Sequence, residues 1–171
     1  LGGLKLATSL RNSGYQVVIV DKNNYNQFPP LIYQVASAGL EPSNISFPIR
    51  RIFQGYKNYY FRMADVKGID SKEKSISTSV GTIHYDYLVL AMGGTTNFFG
   101  NKDVEKNSFP MKTVEDGMRL RNHILETLER AETEEDPEKR QKYMNFVIVG
   151  GGPSGVEIAG AREELLALCE K

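Results

Sequence analysis

Cysteine is nearly absent from this sequence: of 171 residues, only Cys169 carries a thiol. A single thiol excludes an internal disulfide, a multi-cysteine zinc site and two-cysteine redox chemistry within this stretch. Low cysteine usage is typical of a reducing compartment, and together with the lack of a signal peptide it predicts a cytoplasmic protein. Neither His84 nor His123 has the partner spacing of a metal site or a catalytic triad, so we expect no metal.

The sequence also lacks an excess charge of either sign. Twenty-one basic residues face twenty-one acidic ones, and the one acidic block is the short run 132–136. This balance disfavours a nucleic-acid surface. No apolar run approaches the roughly 18 residues that a membrane span requires. With 40% hydrophobic residues the chain can still build a core, as expected of a globular protein.

Three continuous apolar runs predict buried strands of a parallel sheet. They are Gln16–Val20, Tyr87–Ala91 and Phe146–Val149, each bounded by an acid or by glycines. Helical spacing of leucines predicts a first helix over Leu4–Ser13, stopped near Gly14. The sequence therefore predicts an α/β fold.

Between these strands the pattern changes. Proline-bearing turns precede two short predicted helices, at 31–37 and 47–54, and alternation over 59–85 predicts a small antiparallel meander. Thr113 and Asp116 have capping-box spacing at the start of a long amphipathic helix. Asp136 followed by Pro137 predicts the start of a shorter one.

The clearest motif is the strand, glycine turn and helix over residues 146–168. It contains G-x-G-x-x-G, and we predict that the cofactor-binding residues are Gly150, Gly152, Pro153, Ser154 and Gly155. The first glycine permits the turn, the second admits the pyrophosphate, and the third allows close helix packing beneath it. The acid that would hydrogen-bond the ribose should follow about 20 residues later, which is after Lys171. The sequence therefore does not distinguish NADH from NADPH.

A partial copy of this unit stands at the amino end. Gly2 and Gly3 precede a helix and a strand that ends at Asp21, where a Rossmann unit places its ribose-binding acid. The alternative is a Gly-Gly helix start with a surface aspartate. The two copies together predict two dinucleotide sites.

Five segments carry a resemblance to a known family. They are Gly2–Ala7, Val17–Tyr25, Tyr33–Pro42, Asp86–Gly93 and Phe146–Glu157. In order and spacing they resemble type II NADH dehydrogenases, the single-chain NADH:quinone oxidoreductases among the two-dinucleotide-binding-domain flavoproteins. The resemblance covers essentially all 171 residues.

The resemblance implies a domain plan. Residues 1–112 would form part of a Rossmann-like three-layer FAD-binding domain, 113–144 a helical connection, and 145–171 the start of an NAD(H)-binding domain. Since the chain begins at Leu1 and ends directly after a predicted helix, we expect a portion of a longer protein. The family's carboxy-terminal part would provide contact with the membrane surface, and a homodimer stays open.

The resemblance also implies residue roles in binding FAD. Gly2 and Gly3 would finish the pyrophosphate turn, Asp21 with Lys22 would meet the ribose, and the remaining contacts would come from Val66, Ala91 and Gly93. Met92 stands where the family has threonine, which removes a hydroxyl there. Arg162 departs from the family's small or apolar residues.

Glu157 is the predicted catalytic residue. It corresponds to the family's acid beside the nicotinamide and the flavin, and a carboxylate is an unusual choice for a site that binds only phosphates. The alternative is an exposed first-turn helix carboxylate, stabilised by the helix dipole by about 0.3 to 1 kcal/mol.

The implied reaction is hydride transfer from NADH to FAD, followed by electron delivery to a quinone. The quinone site is not identified; Tyr25, Phe28 and Tyr33 could contribute to it or could pack their own loop. Disulfide reductases are disfavoured because positions 22–168 contain no cysteine. A rubredoxin or ferredoxin reductase of the same fold, and a non-catalytic nucleotide-binding remnant, are the alternatives.

Overall fold

The computed structural model describes the backbone of residues 1–169 and the side chains of residues 1–161. Its helices are α1 Gly2–Ser9, α2 Ile32–Ala36, α3 Ile49–Ile52, α4 Lys102–Asn107, α5 Val114–Thr133, α6 Pro137–Tyr143 and α7 Pro153–Cys169. Its strands are β1 Val17–Asp21, β2 Tyr25–Gln27, β3 Ser46–Pro48, β4 Tyr59–Met63, β5 Val66–Asp70, β6 Ser75–Thr78 and β7 Gly81–His84. The side chains of Arg162 and Cys169, both singled out in the sequence, lie outside the described residues.

The chain divides into two compact units. The first comprises Leu1–Asn26 and Phe47–Gly94, and the second comprises Gln27–Ser46 and Thr95–Lys171. The α/β class predicted from the sequence is confirmed.

A parallel pair of strands lies at the centre of the first unit. β1 pairs with β4 in register from Val17 opposite Tyr59 to Asp21 opposite Met63. Its buried core contains Phe61 of β4, Ala7 of α1, and Ile49 and Phe53 around α3. Assigning the Tyr59–Met63 strand to the antiparallel meander was therefore wrong. Alternation shows which face a strand buries, but the choice of pairing partner depends on contacts distant in sequence.

Tyr59 links this sheet to α1. Its hydroxyl donates a hydrogen bond to the carbonyl of Ala7, and its ring stacks on Phe53 with centroids 5.3 Å apart. Burial raises the pKa of the Tyr59 hydroxyl above its ordinary value, and neighbouring Tyr56 raises this pKa further.

The antiparallel meander is confirmed, but it comprises β5, β6 and β7. Ile76 of β6 lies opposite Ile69 and Ile83 and is buried. The first turn follows Asp70, whose Oδ1 accepts the backbone N–H groups of the next turn residues at 2.9 and 3.0 Å. The second turn ends at Gly81, whose φ of +118° favours glycine.

The second unit is built on the packing of α5 against α2. Ile32 and Val35 of α2 form a buried core with Ile45 and Val114. Thr113 and Asp116 form the predicted capping box, with hydrogen bonds of 3.1 and 2.9 Å. The predicted start of the shorter helix is also confirmed, since Asp136 caps α6 by accepting from the N–H of Glu138 at 2.9 Å.

Two predicted strands are wrong. Residues 87–91 and 146–149 have no regular secondary structure, and Leu90 and Val147 are 59% and 87% exposed. Within residues 1–169 no strand pairs with either segment. A strand without a neighbour leaves its backbone N–H and C=O groups without partners, so an apolar run alone does not form one. The first helix also differs from its prediction, since α1 begins at Gly2 and ends at Ser9.

No helix within residues 1–169 combines the length and the apolar character that crossing a membrane requires.

We predict that replacing Gly117 with valine lowers the free energy of unfolding by about 1 to 3 kcal/mol, the usual cost of overpacking a core. A Cβ at Gly117 would lie 3.1 Å from Ile32 Cγ2 and 3.3 Å from the Ile32 carbonyl oxygen. Urea unfolding followed by circular dichroism measures the effect. Gly160→Val is the matched control, because this helical glycine has no described atom within 4 Å of an added Cβ. Equal stability of the two variants would contradict close α2–α5 packing.

Candidate functional site

The glycine turn before α7 depends on glycine at two positions. Gly150 has a φ of +107°, in the region that favours glycine. A Cβ added at Gly155 would overlap the carbonyl oxygen of Gly150, so the helix approaches the turn as closely as backbone allows. By contrast, Cβ atoms added at Gly151 and Gly152 would meet nothing within 4 Å. The turn is thus closely packed between Gly150 and Gly155 and has open space beside Gly151 and Gly152.

This open space lies at the amino end of a 17-residue helix. Pro153 occupies the first position of α7, where its missing N–H costs no hydrogen bond, and Ser154 follows it. The first turn contains no acidic residue. The N–H groups of Gly155 and Val156 donate to the carbonyl of Gly152 at 3.0 and 3.2 Å, which closes the first turn of the helix. The positive end of the helix dipole favours an anion such as a phosphate at this position.

Glu157 comes after that first turn, as the fifth residue of α7, and its side chain is exposed. The helix dipole acts mainly on the first turn, so it stabilises a carboxylate at this position less than one at the helix start. Glu157 also lines a cleft of about 450 Å³ between α2 and α7, within the size range of small-molecule sites.

The other residues of this cleft come from α2, from the turn that follows it, and from α7. They are Tyr33, Gln34, Ser37, Gly39, Val156, Gly160 and Ala161. The Gln34 amide donates to the Tyr33 hydroxyl at 3.1 Å. The sequence analysis did not predict Gln34 and Ser37 as site residues, although both lie within Tyr33–Pro42, one of the segments that carry the family resemblance. Of the three aromatic residues considered for a quinone, Tyr33 lies on this cleft.

In the first unit, Gly3 and Ala91 are brought together. A Cβ at Gly3 would lie 2.8 Å from the Cβ of Ala91, so α1 can approach the segment after residue 90 because position 3 lacks a side chain. Gly2 has open space around it, and Gly93 has a φ of +73°. Two segments distant in sequence therefore meet through a glycine, as the third position of a dinucleotide turn requires.

Asp21 lies at the carboxyl end of β1. Its Oδ1 accepts the N–H of Asn23 at 2.9 Å, and its carbonyl accepts the N–H of Ala64 at 2.9 Å. Because β1 and β4 are parallel, the segment that leads to Val66 leaves the sheet at the same edge. Val66 opens β5 and is partly exposed, and Lys22 is exposed.

The two histidines are in unremarkable surroundings. His84 is exposed on β7, and His123 stacks on Phe109 with ring centroids 4.6 Å apart. Among the described side chains, no three His, Cys, Asp or Glu residues cluster as a metal ion would require.

The chain is similar to several known proteins. The family model described as pyridine nucleotide-disulphide oxidoreductase matches residues 1–168. The chain is 34% identical over 168 residues to the type II NADH:quinone oxidoreductase NdhA of Mycobacterium tuberculosis, covering 96% of this chain and 36% of that protein. It is also 34% identical to the external alternative NAD(P)H-ubiquinone oxidoreductase B2 of Arabidopsis thaliana, covering 92% of this chain and 29% of that protein.

Solved structures agree with these relatives. The chain is similar to NDH2 from Plasmodium falciparum in complex with NADH, with a TM-score of 0.80, 26% identity, and coverage of 90% of this chain and 33% of the other. NADH:rubredoxin oxidoreductase from Clostridium acetobutylicum, at 16% identity and a TM-score of 0.73, covers 95% of this chain and 39% of its own, and shares the fold alone.

The resemblance to type II NADH dehydrogenases inferred from the sequence is thereby confirmed. The chain spans about a third of the length of these relatives. Since the family model extends over nearly all of its residues, the chain belongs to the pyridine nucleotide-disulphide oxidoreductase family.

Proposed function

We propose that this chain supplies the dinucleotide-binding parts of an FAD-dependent NADH:quinone oxidoreductase. The observation that carries the proposal is the turn before α7, where Gly155 packs against Gly150 and open space lies at the helix start. Similarity to type II NADH:quinone oxidoreductases supports the same assignment.

The residues of this turn fit a pyrophosphate. Gly150, Gly152 and Gly155 supply the tight turn, the open approach and the close helix packing, and Pro153 and Ser154 lie in the first helical turn. In this proposal residues 145–171 begin the NAD(H)-binding domain, and residues 113–144 are its helical connection.

The residues of the first unit fit the ADP half of FAD. Gly2 and Gly3 would face its pyrophosphate, and Gly3 brings α1 close to Ala91, which Gly93 follows. Asp21 uses one carboxylate oxygen for Asn23, and among the described residues no group donates to the other. That oxygen can accept from a ribose hydroxyl, with Lys22 beside it and the backbone of Val66 near the adenine. Residues 1–112 would then belong to the FAD-binding domain.

FAD, when bound, supplies the two-electron acceptor that takes the hydride and passes electrons to a quinone. The chain's own contribution is position and charge. Glu157 places a carboxylate on the cleft, and the nicotinamide gains positive charge as it loses its hydride. A fixed negative charge beside the ring therefore stabilises the transition state more than the bound reduced ring.

The proposal includes several features of the whole protein. They are a peripheral position on the cytoplasmic face of a membrane, a quinone as acceptor, and a homodimer. A rubredoxin reductase is less well supported, because the similarity to that class extends to the fold alone.

The first test is the visible absorption spectrum of the full-length protein. We expect a flavin spectrum as purified, loss of its visible absorption after anaerobic addition of NADH, and recovery after a soluble quinone is added. A colourless protein that does not take up FAD would refute the proposal. A flavin that NADH reduces and rubredoxin, but no quinone, reoxidises would favour the alternative reductase.

Replacing Glu157 with glutamine should slow the reduction of bound flavin by NADH by at least about tenfold, because it removes the charge that stabilises the developing cation. Anaerobic stopped-flow absorbance measures this rate. Glu138→Gln is the matched control, since Glu138 is an acid near the start of α6 and does not line the cleft. An unchanged rate in the Glu157 variant would remove Glu157 from the mechanism.

Replacing Gly155 with alanine should weaken NADH binding by about tenfold or more, because the methyl group forces α7 away from the turn. Gly151→Ala is the control, since its Cβ would meet nothing within 4 Å. The dependence of the flavin-reduction rate on NADH concentration gives both affinities, and FAD content should be equal in the two variants. If Gly155→Ala binds NADH normally, this turn does not hold the pyrophosphate.

A further inference from the structure

The cleft beside Glu157 contains a chemically distinctive set of groups. Its described lining contains the carboxylate of Glu157, the amide of Gln34, and the hydroxyls of Tyr33 and Ser37. Among the residues that the structure describes, no lysine or arginine lines it. Phosphate groups are therefore disfavoured inside the cleft, and a neutral or cationic ring is favoured.

The distance from the glycine turn to the cleft suits a ligand that spans both. Pro153 and Glu157 are four positions apart on α7, which corresponds to about 6 Å along the helix axis. A dinucleotide with its pyrophosphate at the helix start can place its ring at the level of Glu157.

The cleft contains more acceptors than a quinone could satisfy. The Glu157 carboxylate and the Gln34 side-chain oxygen both accept hydrogen bonds, and no described group donates to that Gln34 oxygen. An oxidised quinone offers only carbonyl acceptors, so it would leave these groups unsatisfied. A ring that bears a carboxamide offers both N–H donors and a carbonyl acceptor.

Gln34 is held in place from two sides. One N–H of its amide donates to the Tyr33 hydroxyl at 3.1 Å, and its backbone carbonyl accepts the N–H of Leu40 at 3.0 Å. The turn between them contains Ala38 at a φ of +60°, an unfavourable conformation for a residue other than glycine. A left-handed residue at this place is a common way for a helix to end, and it turns the chain so that Leu40 reaches the Gln34 carbonyl.

We infer that Gln34, oriented by Tyr33, recognises the carboxamide of a nicotinamide ring that lies beside Glu157. The remaining N–H and the oxygen of the Gln34 amide match the acceptor and the donor of the ligand amide. Gln34 is thus a specificity-determining residue, and Tyr33 is a positioning residue that acts through it. This inference rests on the proposed function, because it takes NADH as the ligand.

The test compares two dinucleotides that differ at the carboxamide. 3-Acetylpyridine adenine dinucleotide carries a methyl group in place of the amide nitrogen of NAD⁺, so it keeps the acceptor and loses the donors. Isothermal titration of the full-length protein should show NAD⁺ bound roughly three- to tenfold more tightly than the analogue, as one neutral hydrogen bond contributes.

In Gln34→Leu this preference should fall to less than about twofold, because NAD⁺ loses two hydrogen bonds to Gln34 whereas the analogue loses only the one that its carbonyl accepts. Tyr33→Phe should give an intermediate preference, because the amide stays but loses the partner that orients it. Gln141→Leu is the matched control, since Gln141 lies on α6 and does not line the cleft. FAD content and thermal stability should be unchanged in all three variants, which separates recognition from folding.

The outcomes separate this inference from the function on which it rests. Flavin reduction by NADH together with an unchanged preference in Gln34→Leu overturns the inference alone. An unchanged preference with a raised KM for a soluble short-chain quinone overturns it in favour of a quinone in the cleft. Wild-type protein whose flavin NADH does not reduce overturns the proposed function and this inference together.

Discussion

The contact between Gly155 and the carbonyl of Gly150 is the constraint on which the arrangement of the second unit depends. A Cβ at position 155 would overlap that oxygen, so α7 can begin where it does only because the side chain is a hydrogen atom. This close approach fixes the start of the helix, and with it the direction of the helix dipole. Glu157 is placed one turn later, so the geometry of the turn also determines what lines the cleft.

A glycine also permits a close approach in the first unit. Gly3 permits α1 to approach Ala91, and Tyr59 donates to the carbonyl of Ala7 at the other end of that helix. One contact requires a missing side chain, and the other requires a hydroxyl that donates to a backbone carbonyl. Together they set the position of α1 against the β1–β4 sheet, whose carboxyl edge carries Asp21. Charge is thus brought to an edge of the sheet while the core stays apolar.

The cleft beside Glu157 differs in kind from the glycine turn. The turn offers the positive end of the α7 dipole to an anion, whereas the cleft offers a carboxylate, an amide and hydroxyls. A ligand that satisfies both must carry negative charge at one end and a neutral or cationic hydrogen-bonding ring at the other. One end of α7 thus favours an anion and the cleft beside Glu157 favours a neutral or cationic ring. These two preferences fix the orientation of the bound molecule, because the reversed orientation would place its phosphates against the carboxylate.

Local chemistry was determined by the sequence itself. The capping box at Thr113, the Asp136 cap, the meander turns and the glycine turn all follow from interactions between residues a few positions apart, and such patterns can be recognised without a partner. Only the tertiary structure decided the partners: β4 joined β1 rather than the meander, and residues 87–91 and 146–149 formed no strand. It also brought Gln34 to the cleft of Glu157. Strand pairing and helix packing join residues that are far apart in the chain. An apolar pattern indicates that a segment is to be buried, but it does not specify which other segment packs against it.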